Sequence, residues 1–223
     1  MKRTKLSNRR LPDYTQGEEL LNTATHIAGG AMAVAALILC LIRSSVQGNL
    51  LDIAASAVYG VSMIAMYTIS SIYHGLKPNL GKKVMQVIDH CTIYFLIAGT
   101  YTAILLSALR PVYPNLAWGV LAFEWATAFL AATLTAIDLK RYSIFSMVCY
   151  ISMGWAILPF WPKVLEVLGP GGFGLLLGGG IAYTIGSILY GLGKKQKWMH
   201  SVFHVFVVLG SLLQFLAVFF YGL

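Results

Sequence analysis

His200 and His204 stand four residues apart. On an α-helix that spacing puts both imidazoles on one face, where two ring nitrogens reach a single metal ion. Ser70 and His74 share a face for the same reason. Three imidazoles, from His74, His200 and His204, with a fourth position left to water, make the donor set of a catalytic zinc site, because structural zinc sites are usually closed by cysteine. Copper or nickel would also accept such a set. Zinc lowers the pKa of a bound water to about 7 and so supplies a nucleophile for a carbonyl at neutral pH. The His-Glu-x-x-His pattern of zinc proteases is absent, since Ser201 follows His200, and a general base has to come from another helix. Asp89 is the acid expected to take the water proton and return it to a leaving amine, with Ser70 donating a hydrogen bond.

These groups need elements that hold them at one level. The 223-residue chain is 58% hydrophobic and 11% charged, with a mean hydropathy of +0.73, well outside the range of a soluble domain. It reads as an all-α integral membrane protein, a seven-transmembrane helix bundle in which spans of about 20 residues use the whole length. Apolar runs bounded by charge, proline and glycine predict helices near 22–42, 51–74, 84–109, 115–137, 143–161, 171–192 and 198–221, after a basic tail over 1–21. Pro78, Pro111, Pro114, Pro162 and Pro170 fall between them, and Pro159 near the end of the fifth, where a lost hydrogen bond costs least. The tail is polar and no small-residue cleavage site follows, so no removed signal peptide is expected. Gly174 and Gly178, four apart, predict a close helix approach.

Positive charge gives the orientation. Lys2, Arg3, Lys5, Arg9, Arg10, Lys77, Lys82, Lys83, Lys140, Arg141, Lys194, Lys195 and Lys197 fall on one side, and only Arg43, Arg110 and Lys163 on the other. The amino terminus is therefore expected in the cytoplasm and the carboxyl terminus outside. The net charge of +8 lies in short loops rather than on one face, which speaks for a topology signal and against a nucleic-acid surface. Cys40, Cys91 and Cys149 lie far apart in apolar stretches and read as buried hydrophobes.

On this map His74, Asp89, His200 and His204 share one depth near the cytoplasmic side, and ionisable groups at membrane depth tend to mark function. The alternatives are plain ones. Histidines can bond backbone or lipid phosphate, Asp89 can pair with Lys82 or Lys83, Ser70 can be a packing serine, and Asp138 can be a solvated helix end. His26, in the inner half of the first helix, reads as a hydrogen-bonded packing residue or an outer neighbour of the metal site. His90 points about 100° from Asp89 and reads as structural. Glu124, near the middle of the fourth helix, must face the bundle or a cavity and is a candidate for a proton or substrate path.

The motifs Ser70-Ser71-Ile72-Tyr73-His74, Asp89-His90-Cys91-Thr92-Ile93-Tyr94, Gly99-Thr100-Tyr101, His200-Ser201-Val202-Phe203-His204 and Asn22 to His26 resemble those of the hemolysin III branch of the progestin and adiponectin receptor family. The resemblance spans essentially all the predicted helices. It implies a seven-helix bundle with zinc near the cytoplasmic face, bound at His74, His200 and His204, with Asp89 and Ser70 around its water. The wider superfamily includes membrane ceramidases with a similar constellation, which implies amide hydrolysis of a membrane lipid and a role in lipid homeostasis. Two other functions fit the scaffold: a zinc-stabilised sensor or receptor without turnover, and a lytic pore, which the family name suggests but which would need a continuous polar path.

Overall fold

The computed structural model describes all residues except 1–3 and 194, so Lys2, Arg3 and Lys194, counted above for orientation, lie outside the described residues. The described residues are helices and turns without a strand. The helices are α1 (Gln16–Gln47), α2 (Leu50–Gly75), α3 (Leu80–Ala103), α4 (Pro114–Ile137), α5 (Ser143–Gly154), α6 (Trp161–Leu192) and α7 (Met199–Ala217), with π-helical turns extending α3 over Ile104–Leu109 and α7 over Val218–Gly222.

Among the described residues, six helical stretches are long and apolar enough to cross a membrane: Gln16–Gln47, Leu50–Gly75, Leu80–Leu109, Pro114–Ile137, Ser143–Leu192 and Met199–Gly222. Seven separate long helices were expected, and the difference lies between 143 and 170. The α5 helix has 12 residues, about 18 Å at 1.5 Å each, short of a hydrocarbon core of about 30 Å. Pro159 lacks the N–H that would bond the Trp155 carbonyl and its ring would clash there. Leu158 N takes that carbonyl instead, at 3.0 Å, and the chain turns. The segment 162–170, expected as a loop, is helical. Pro162 sits in the first turn of α6, where its fixed φ suits a helix start, and the break falls at Gly169 (φ 65°) just before Pro170.

The expected tail is also shorter. Thr15 and Glu18 form a reciprocal capping box, so α1 starts at Gln16 and adds more than a turn to the 22–42 prediction. The most extensive packing is α1 on α2, α2 on α3 and α6 on α7, and α1 also meets α7. Gly174 meets nothing within 4 Å and Gly178 only Leu213, so the predicted close approach is not there. Close approaches fall instead at Gly60, where a Cβ would lie 2.9 Å from Leu37 Cα, and at Gly179, 3.2 Å from the Gly210 carbonyl. Large apolar side chains such as Ile42, Val61, Phe129, Leu130 and Ile188 are exposed on the outer surface, as a lipid-facing surface requires. Cys40 and Cys149 are buried, Cys91 is half-buried, and all three are free.

Candidate metal centre

His74 ends α2, while His200 and His204 occupy the first two turns of α7. Packing of α1 against both α2 and α7 brings the three rings together. One nitrogen from each lies within 4.8 Å of the others, and all three residues are buried. His200 Nε2 is 3.1 Å from His204 Nε2 and 3.5 Å from His74 Nε2. Two zinc–nitrogen bonds of about 2.05 Å at a tetrahedral angle separate their nitrogens by about 3.3 Å, so these spacings match the edges of a zinc coordination shell.

The outer contacts favour a metal as well. His74 Nδ1 donates to Glu19 Oε2 at 2.6 Å, which leaves the Nε2 lone pair free to face the other two rings. Glu19 Oε1 accepts from Lys82 Nζ at 2.5 Å, and Lys82 also donates to the Leu76 carbonyl at 2.8 Å. Lys83 Nζ donates to the Ser7 carbonyl at 2.6 Å. Both lysines thus have other partners than Asp89. Tyr14 stacks on His200 with ring centroids 4.7 Å apart, covering the site with the segment that precedes α1. Glu18 Oε1 accepts from Trp198 N at 2.6 Å, which holds Trp198 in a left-handed conformation (φ 68°) at the start of α7.

Ser70 and Asp89 sit beside the triad. The Ser70 hydroxyl reaches the Asp89 carboxylate, and both line a cavity of about 670 Å³ together with His200 and His204. The Asp89 side chain is 13% exposed and 3.8 Å from His90 Nδ1. His90 is engaged by the Gln86 carbonyl and by Tyr190. His26 stacks on His204 with centroids 3.8 Å apart, lines the cavity, and has no hydrogen-bond partner at either nitrogen. Glu124 is fully enclosed in α4 with Tyr101 nearby, and neither carboxylate oxygen has a partner; it is not among the residues lining the cavity. Asp138 is a buried anchor rather than a solvated end. It accepts from Thr4 N at 2.8 Å and Arg141 N at 3.2 Å, and these contacts hold its carboxyl below the usual range.

Residues missed in the sequence are Tyr14, Glu18 and Glu19, assigned to the tail. The signal was available: Thr15-Gln16-Gly17-Glu18 is a capping box, and a helix from Gln16 puts Glu19, Asn22 and His26 on one face. That face meets the triad, with Asn22 Nδ2 3.3 Å from His74 Nδ1.

Fold and site define a multi-pass helical membrane protein with three buried histidines able to hold a metal ion. The family model described as haemolysin-III related matches residues 14–215, and the chain belongs to that family. Hemolysin-3 of Bacillus cereus is 38% identical over 206 residues, covering 92% of both chains. The Hemolysin-3 homolog of Bacillus subtilis (strain 168) is 34% identical, covering 93% of this chain and 96% of the relative. Monocyte to macrophage differentiation factor of Homo sapiens is 22% identical over 169 residues, 72% of this chain and 67% of the relative. No solved structure matches.

Proposed function

We propose that the chain is a zinc-dependent hydrolase of lipid amides in the membrane, with seven crossings, an inward amino terminus and a role in membrane lipid homeostasis. One observation carries this reading: three buried histidines, with His200 Nε2 at coordination spacing from the Nε2 atoms of His204 and His74, lie beside a cavity that Asp89 and Ser70 also line. The seventh crossing is supported by α5 lying antiparallel to the second half of α6. Tyr150 and Tyr190 both meet His90, while Trp155 Nε1 donates to Thr184 at 3.1 Å.

Zinc, when bound, polarises an acyl oxygen and acidifies water to a pKa of about 7. Asp89, at the cavity wall, accepts the proton of the attacking water and delivers it to the leaving amine. Ser70 orients that carboxylate and donates a hydrogen bond. Glu19 fixes the His74 tautomer. Tyr14 and the surrounding helices limit water at the site, and the acyl chain lies in the apolar part of the cavity.

The first test is elemental analysis of detergent-purified protein beside a His200→Ala, His204→Ala double variant. The expected result is near one zinc per chain, lost in the variant. Hydrolysis of ceramide-like amides follows, with Asp89→Ala expected to retain metal and lose activity by about 10²- to 10⁴-fold. Wild-type protein without metal would remove the mechanism. Metal and lipid binding with no turnover would favour the sensor. The name Hemolysin-3 carried by two relatives speaks for lysis, which a dye-release assay on the metal-free variant separates from a zinc-dependent activity.

A further inference from the structure

The large cavity is not uniform along its length. Its deep end is lined by groups such as Leu96, Ile97, Trp155 and Val207, with Thr100 and Gln214 among them. Its other end is lined by Thr4, Asn8, Arg9, Arg10 and Lys140, from the amino-terminal segment and the α4–α5 connection. Along α3 the lining runs from Gln86 to Tyr101, about 22 Å at 1.5 Å per residue. Asp89 and His200 lie near the cationic end of that path. The cavity thus has the polarity of an amphiphile, with an apolar length and a charged mouth.

Arg9 makes the mouth more than a loop of surface cations. It is 8% exposed, and among the described residues its guanidinium has one partner, the Ile137 carbonyl, 3.4 Å from Nη2. Its Nε and Nη1 have none. Asp138 is near enough for the Arg9 charge to help hold its carboxyl down, but no ion pair within 4.0 Å joins the two and two backbone N–H groups already engage the carboxylate. A buried guanidinium is strongly unfavourable without an anion, and its planar fork suits phosphate or carboxylate.

We propose that Arg9, with Arg10 and Lys140, forms an anion subsite at the cavity mouth that selects amphiphiles bearing a phosphate or carboxylate headgroup, with the chain in the cavity. This rests on the reading of the cavity as the ligand chamber and names the ligand class it takes. The headgroup sits at the mouth, and the part of the ligand next to it passes the histidines and Asp89.

The test is competition binding to the full-length protein in nonionic detergent, read by native mass spectrometry. The probes are dodecyl phosphate, dodecanol and inorganic phosphate. Wild type is expected to favour dodecyl phosphate over dodecanol by about tenfold or more, the effect of one charge-assisted hydrogen bond. Arg9→Gln should remove most of that preference while dodecanol binding stays, and Arg9→Lys should restore part of it. Lys140→Gln, at an exposed position, should weaken the preference without unfolding risk. Equal affinity for the two chains in wild type, a preference unchanged in Arg9→Gln, or equal loss of both ligands there would overturn the proposal, the last by making Arg9 a strut for the tail. Inorganic phosphate binding as tightly as dodecyl phosphate would also overturn it, by marking a free-anion site. The readout needs no turnover, so a protein without hydrolase activity can pass it, and an active hydrolase without anion preference fails only here.

Discussion

The convergence of three Nε2 atoms depends on which nitrogen of each ring is left bare, and at His74 that choice is made by Glu19. A carboxylate on the far nitrogen fixes both tautomer and ring direction. Replacing Glu19 by Gln should therefore weaken metal binding about 10- to 100-fold while the three ligands stay in place; a chelator-competition titration reads this directly. Unchanged affinity would mean that Asn22 and the packing around the ring suffice to hold it. The histidine motifs were legible because i, i+4 spacing is a local property of a helix. The helical face that carries Glu19 was legible from the capping box, but its pairing was not, because His74 and Lys82 are 55 and 63 residues away. His26 is a middle case: its depth was legible, but its stacking on His204 came from the meeting of α1 and α7.

The helices hold that geometry through a few tight crossings. At Gly60 the α1 backbone at Leu37 comes too near for any side chain, so Gly60→Val should cost about 1–3 kcal/mol through overpacking. Gly174→Ala, at an open position, should be neutral or slightly stabilising through helix propensity. Melting temperatures of both variants in the same detergent check the pair, and similar losses would return Gly174 to a packing role. Small-residue spacing predicted the opposite assignment. It marks surfaces that could approach, whereas the partner helix and its rotation decide which do. The break between α5 and α6 has the same lesson, since Pro159 ends a helix and Pro162 begins one, and only their place in the turn separates the two effects.

At the scale of the molecule, the amino-terminal segment is tied down at several points, by Asp138, Lys83 and the capping box at α1. Asp138 makes this pH-sensitive. Its folded pKa is lowered, chiefly by the Thr4 N–H, so its contribution is fully present above the ordinary carboxyl value of 3.8 and is lost as pH falls through the lower folded value. Hydrogen exchange at Thr4, corrected for intrinsic rate, should show protection from neutral pH to about pH 4 and loss below that. Asp138→Asn should speed tryptic cleavage after Arg9 and Arg10 at neutral pH, and equal cleavage rates would show that the carboxylate does not hold the segment. The sequence by itself determined the helical membrane class and the three histidines, because hydropathy and i, i+4 spacing are written within single segments. The tertiary structure alone decided that the expected tail covers the histidine cluster, that Glu19 and Tyr14 contact its rings, and that a buried Arg9 stands at the mouth of the cavity. Those facts depend on contacts between segments far apart in the chain, and such contacts are fixed by how the helices pack rather than by the pattern within any one of them.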